Sequence, residues 1–433
     1  MKAHMFKVLP VIAGIVMLGA SCKKDSGTTP TSTQSTLIVE NVLDSRPLVE
    51  SGTFQEQGES PLIFPSQSVS ITFSAAKGEA ISFATMYGWS NDLFFAPANP
   101  GILVYDSTTG TPIQGDVSSQ VRLWDNGSRV NTPPGASVVH PGVARSKNIA
   151  EVVGTDADGN SYLPASKLVQ ATLVYNGNSQ FTLTLTNISG GTANQTPLSP
   201  GVWAISYIVG GQLLNPAPLY TSGQLTTPGI TAIAEAGNNA ILNTYVQGIT
   251  GIFTPLSPIL VVVYNGISNP IYQVGQLDAG QGLTALAQKG NADTLAAALK
   301  KLPGVKYVYE LAAPTTKVLL PSINGNPGGI VSQALTLASG DRLAIATMYG
   351  FSNDWFFAST GNGVDPTQKG DISSTIGLYD DGTAINQFPG AGITQFNLAG
   401  TPLQTSIPIS AVPNPNAFTT LPAISDIIRV TLN

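Results

Sequence analysis

The chain has 433 residues and a formal net charge of −6, with only 10% charged residues against 42% apolar, and with 45 glycines and 31 prolines. The length suits two or three domains with a sizeable core, while the acidic balance and the lack of any basic stripe argue against a nucleic-acid partner. A single cysteine leaves no disulfide framework.

Residues 1–22 have the pattern of an export signal, with Lys2 and Lys7 flanking the start, an apolar run over 8–20, and Gly19-Ala20-Ser21 before Cys22. The run is too short to cross a bilayer, which takes about 20 residues. The site resembles a bacterial lipobox, although Gly19 stands where the large aliphatic residue is usual and Leu18 lies one step back. The resemblance implies an exported outer-membrane lipoprotein, held to the membrane by lipid on Cys22. Lys23-Lys24-Asp25 is similar to the sorting tag that displays Bacteroidetes-type lipoproteins on the cell surface. Residues 23–35, rich in Thr, Ser and Pro, are expected to form a disordered tether.

From 36 to 178 the pattern is all β. Residues 36–42 and 68–74 alternate apolar and polar, as Val69, Ile71 and Phe73 show. The stretches 81–86, 102–105 and 167–175 are further strand candidates, and Asn126-Gly127 and Asp158-Gly159 supply turns. Residues 181–187 (FTLTLTN) open a second kind of segment, which carries the convincing helices: 230–236, 240–246, 283–288 and 292–301. These are short and Ala-rich, so they should pack on a sheet rather than stand alone.

Two sets of repeats organise the chain. ATMYGWSNDLFF at 84–95 recurs as ATMYGFSNDWFF at 346–357, and GDVSSQVRLWDNGSRVN at 115–131 recurs as GDISSTIGLYDDGTAIN at 370–386. Separately, TPLSP at 196–200 recurs at 254–258, and GITAIA at 229–234 matches GLTALA at 282–287. Function should be sought in what both copies retain. The expected order is a β tail (36–178) and helical head (181–253), forming a first domain over 36–253, followed by a head (254–310) and β tail (318–433), forming a second over 254–433. A division near 180 is the alternative.

The strings TPLSPGVW and NPAPLY, the GITAIAEAG segment, the repeated ATMYG[W/F]SND[L/W]FF and the L[W/Y]D[N/D]G turn together resemble the bacterial branch of the spondin N-terminal domain. The resemblance covers most of the chain after residue 36. It implies tandem C2-like, spondin-type antiparallel β-sandwiches with a few short helices inserted, acting in adhesion or in binding an extracellular glycan or protein ligand. It does not imply an enzyme. The family's calcium site carries over to Asp92 and Asp125 in the first copy and to Asp354 and Asp380 in the second. The third acid of the family falls on Arg129 and Ala384, which cannot ligate calcium, and the ion wants six to eight oxygens. Asp116/Asp371 and Asn131/Asn386 are candidates to complete the shell, and Arg129 is a candidate to stand in as a fixed cation. The plainer reading is that these acids only shape turns.

Other chemistry is poorly supported. His140, in a loop before Pro141, is the only histidine after the leader, too little for a Ser-His-Asp, Cys-His or zinc arrangement. Asp156 and Asp158 are expected to form an exposed turn. Of the aromatic runs, one of Phe94-Phe95 and part of Trp355-Phe356-Phe357 should be core, leaving neighbours, with Trp89, Tyr105, Trp124, Phe351 and Tyr379, to line either the core or a ligand surface. A self-assembling envelope protein is the alternative function, and a carbohydrate-active hydrolase or its accessory domain a weaker one.

Overall fold

The structure is a computed structural model that describes residues 32–393 and 400–433. Cys22, the leader and the first part of the expected tether lie outside the described residues. Among those residues no helix is long and apolar enough to cross a membrane.

The protein is mainly β. The chain opens with β1 (Thr33–Asn41), β2 (Leu48–Phe54), β3 (Ser68–Ser74), β4 (Ala80–Met86), β5 (Leu93–Pro97), β6 (Ile102–Leu103), β7 (Gly115–Asp116), β8 (Val121–Asp125) and β9 (Ala150–Glu151). Next come β10 (Val169–Gly177), β11 (Gln180–Asn187), β12 (Gly201–Ser206), the small hairpin β13 (Ile208–Val209) and β14 (Gln212–Leu213), and helices α1 (Pro228–Ala236) and α2 (Ala240–Gly248). The rest runs β15 (Ile259–Asn265), α3 (Leu283–Lys289), α4 (Asp293–Leu299), β16 (Val305–Leu311), β17 (Ile330–Leu337), β18 (Asp341–Met348), β19 (Trp355–Ser359), β20 (Gly370–Asp371), β21 (Ile376–Asp380), β22 (Ser410–Ala411) and β23 (Ile428–Leu432).

Two four-stranded sheets have matching orders, β3-β11-β10-β7 and β17-β1-β23-β20. Two larger sheets match likewise, β2-β12-β4-β5-β8-β9 and β16-β15-β18-β19-β21-β22. Phe73 of β3 meets Trp203 of β12 at 6.2 Å between ring centroids, so the first small sheet faces the first large one. The opposite face of each large sheet is covered by helices, α1 and α2 over Ala84, Phe94 and Ala204, and α3 and α4 over Leu260, Val262 and Phe356. The Ala-rich helices are short because their stability comes from this packing, and Gly237 and Gly290, both left-handed, end α1 and α3.

The matching orders expose a displaced strand. The place that β11 fills in the first small sheet is filled in the second by β1, antiparallel to both β17 and β23, with Val39 opposite Val331 on one side and Val430 on the other. The alternation at 36–42 did predict a strand, but placed it with the first domain; it starts at Thr33, inside the expected tether, and completes the sheet of the C-terminal strands. A second correction concerns the division after 178. β10 and β11 are one hairpin, joined at Asn178 and Ser179 with φ of 54° and 63°, and β11 pairs on its far side with β3. Residues 181–187 are thus part of the β body and not the opening of the helical head. Tyr105 lies just past a β6 of only two residues, and α4 ends at Leu299, before Lys300.

Leu37 is fully buried, and truncating such a side chain costs about 2–5 kcal/mol. Leu37→Ala is expected to lower the denaturation midpoint accordingly. Amide exchange should accelerate in 330–337 and 428–432 and not in 68–74, and faster exchange confined to 68–74 would contradict the sheet assignment.

Candidate functional site

Both copies of the acidic turn are built alike. β5 and β8 are neighbours, as are β19 and β21, so the residue before each aromatic run meets the turn after the next strand. Asp92 Oδ2 accepts the N–H groups of Ser128 and Arg129 at 2.8 Å each, and Asp354 Oδ2 accepts those of Thr383 and Ala384 at 2.7 and 2.8 Å. Asp125 Oδ1 and Asp380 Oδ1 each close their own turn by accepting the N–H of Gly127 or Gly382 at 2.8 Å. Those glycines are required. Both have φ of 73°, and a Cβ would stand 2.4 Å from the Lys147 carbonyl or 2.2 Å from that of Ile407.

The turn-shaping role is therefore real, yet it leaves charge unspent. Asp92 and Asp354 are fully buried, and their Oδ1 atoms accept no hydrogen bond. Burial, with the adjacent Asp125 or Asp380 charge second, pushes each carboxyl up to about 6. The two copies neutralise this charge differently.

In the first copy the cation is a side chain, but not the one expected. Arg129 sends its guanidinium to Glu235 on α1 at 2.7 Å, and only its backbone N–H reaches Asp92. Arg145 instead bridges Asp125 at 2.5 Å and Asp158 at 2.6 Å, with about a tenth of its side chain exposed. Asp156 and Asp158 are not a free surface turn. Asp156 is buried, accepting the N–H groups of Asp158 and Asn160 and the Tyr162 hydroxyl, and it holds Asp158 where Arg145 can reach it.

In the second copy Thr405 stands at the place of Arg145, each donating its N–H to the corresponding turn carbonyl, of Thr383 or Ser128. Ala384 replaces Arg129 and Gln288 replaces Glu235, with Gln288 Nε2 donating to the Thr383 hydroxyl at 2.9 Å. Asn126 becomes Asp381, fully buried, whose Oδ1 accepts no hydrogen bond. Burial, then the Asp278 charge, pushes Asp381 up to about 7. Asn131 and Asn386 do reach the site, donating to Asp125 at 3.2 Å and Asp380 at 2.5 Å. Asp116 and Asp371 do not; they sit on the small sheets and bond their own Ser118 and Ser373.

The fit to calcium is uneven. Among the described residues no three His, Cys, Asp or Glu side chains converge as a metal-ligand group. In the first copy Arg145 already supplies the positive charge. In the second, the free oxygens are Asp354 Oδ1 and Asp381 Oδ1, beside Asp380, and carbonyls and water would have to complete a shell of six to eight.

The aromatic candidates are core. Phe94, Phe95, Phe356 and Phe357 are all buried because sheet covers one face and helices the other. Trp124, Tyr105, Phe351 and Tyr379 are buried too, and Trp89 is half-buried against the core. His140 is exposed, in the loop beside Val139 and Val143. What sequence reasoning missed is a groove of about 500 Å³ between the 217–227 loop and α1 and α2, lined by Leu219, Tyr220, Leu225, Ile241 and Tyr245. Leu225, Ile241 and Tyr245 are 60%, 49% and 53% exposed.

Two substitutions test the charge pattern. Asp381→Asn installs the first copy's residue. A carboxyl whose folded-state pKa is raised favours folding below its unfolded value near 4, and that contribution is lost as pH rises through about 7. The variant is therefore expected to melt higher than the parent at pH 8 and about equally at pH 4, and millimolar calcium should raise the melting temperature of the parent but not of the variant. Arg145→Thr, which breaks a buried ion pair, is expected to cost about 3–5 kcal/mol in chemical denaturation; a loss below 1 kcal/mol would show that the pair is not what neutralises Asp125.

A scan of the chain against models of known protein families finds no match, and a search of curated proteins finds none either.

Proposed function

We propose that this chain is a surface-displayed, non-enzymatic binding protein whose β body presents the α1–α2 groove to an extracellular glycan or protein, with a calcium ion assisting at the second acidic turn. The observation that carries the reading is the groove itself. A soluble body normally keeps large apolar side chains out of water, and here three converge on one open concavity of ligand size whose rim carries Thr221, Gln224 and Thr227. An apolar floor with a polar rim suits a ligand that offers both a flat apolar face and hydroxyl or amide groups. The lipobox-like Cys22 and the spondin-like strings favour the same reading, because a lipidated, exported chain and a spondin-like one would both meet extracellular ligands. The free Oδ1 atoms of Asp354 and Asp381 would each offer the ion one ligand, with carbonyls and water supplying the rest of the shell, and the ion would neutralise the second turn as Arg145 neutralises the first.

The test uses binding to a panel of immobilised polysaccharides and matrix proteins. Tyr245→Ala and Ile241→Asp alter exposed side chains, so each should leave the melting temperature within a degree or two of the parent. Each is expected to weaken retention at least tenfold, about 1.4 kcal/mol. A parent protein retained by no member of the panel, or variants retained equally well, would remove the groove as the binding surface.

A further inference from the structure

Lys306, Asn265 and Asp341 meet where three neighbouring strands end. Asn265 closes β15 and stands directly opposite Asp341, the first residue of β18. Lys306 lies in β16, on the other side of β15, at the register shift between Tyr307, opposite Val263, and Val305, opposite Tyr264. A bulged residue of this kind has no cross-strand partner and can aim its side chain out of the strand's alternation. Lys306 uses that freedom to reach across the end of β15. Its Nζ donates to Asp341 Oδ1 at 2.5 Å, and Asn265 Nδ2 donates to the same oxygen at 3.2 Å. Asp341 Oδ2 accepts the Ala338 N–H at 2.8 Å, which fixes the carboxylate in place. Asp341 is buried, Asn265 is half-buried and Lys306 is partly exposed.

An amine, a carboxamide and a carboxylate that touches both are the components of an amide exchange. What the reaction lacks in free solution is supplied here by proximity and by a proton acceptor placed at both nitrogens. We propose that Lys306 and Asn265 become joined by an isopeptide bond, with Asp341 as the catalytic acid and base, clamping β15 to β16 and closing the loop that carries α3 and α4. One ammonium proton passes to Asp341 Oδ1, and the freed Nζ lone pair attacks Cγ of Asn265. The Cγ–Nδ2 bond then breaks with its electron pair on nitrogen, which takes a second proton from Nζ and departs as ammonia. The proton held on Asp341 follows it as ammonium, so the carboxylate is restored and nothing is oxidised or reduced. Burial raises the Asp341 carboxyl, but the bonds from Lys306, Ala338 and Asn265, with the Lys306 charge, hold it below the usual carboxylate range. It is therefore ionised and open to the first proton. The exposed side of Lys306 gives ammonia a way out. One turnover is enough, because loss of ammonia to solvent makes the bond permanent.

The first copy provides the contrast. The repeats and the matching registers set Tyr207 in the place of Asn265, Val49 in that of Lys306 and Glu79 in that of Asp341. Neither amine nor carboxamide reaches that acid, whose Oε1 accepts no hydrogen bond.

The test is the intact mass of the chain from Lys23 onward, which holds every described residue. The parent is expected to fall short of its sequence mass by one ammonia. After trypsin, the peptide that ends at Lys289 should be found joined to one that runs from Leu302 to Lys317 and is uncut at Lys306. Lys306→Arg keeps a cation beside Asp341, but a guanidinium does not give up its proton, so this variant should have its full sequence mass. Asp341→Asn should have its full mass as well. Asn265 precedes Gly266, and attack by the Gly266 backbone nitrogen would also expel ammonia. That loss would persist in Lys306→Arg and would leave no joined peptide. A parent of full sequence mass, an ammonia loss that survives Lys306→Arg, or absence of the joined peptide would each overturn the proposal.

Discussion

Everything in the C-terminal half depends on β1 lying between β17 and β23. Leu37 and Val39 are fully buried there, and without them the second small sheet would lose its central strand and its hydrogen bonds on both sides. The Asn41 amide fastens the end of the strand by donating to the carbonyls of Thr254 and Leu319, each at 2.9 Å. The contact is about as non-local as the chain allows, since Leu37 faces Leu432. Closing so long a loop costs little more than closing a moderate one, but contacts of this separation slow folding. Residues 48–253 are in effect inserted into the C-terminal half, after the first strand of its small sheet.

The same economy is visible at the acidic turns. Asp92 and Asp354 each tie the strand that precedes the aromatic run to the loop after its neighbour, through two backbone N–H groups, and this clasp is the part both copies keep. A clasp needs one carboxylate oxygen. The other oxygen, and the second aspartate beside it, are what the copies treat differently. One neutralises the charge with Arg145; the other adds a further acid, Asp381, and so keeps protons or a cation in demand.

Most of this body was legible from repeats, because equal strings fold into equal surroundings: Ala84 to Phe95 and Ala346 to Phe357 sit on matching strands. The turn acids were legible for the same reason. β1 was misplaced because alternation reports that a strand has a buried face, not which sheet buries it. One of Phe94 and Phe95 was left open to a surface role because alternation assumes one wet face, although helices that must pack on a sheet were themselves readable. Arg145 and Asp158 were hidden, being far from the turn in sequence and absent from the second copy. Their trace in the sequence was an absence, an acidic turn with Arg145 after it in one half and Thr405 in the other.

In a chain with 10% charged residues, where each charge goes matters more than the total. Three of the eight ion pairs among the described residues join Arg129 or Arg145 to acids around the first turn, and none lies at the second. At the other end of the β bodies the imbalance reverses. Glu79, fully buried with Oε1 accepting no hydrogen bond, has no lysine, and burial holds it well above the usual carboxylate range with Glu50 nearby. Its counterpart Asp341 is held by Lys306. Each half is thus neutralised at one end and left acidic at the other.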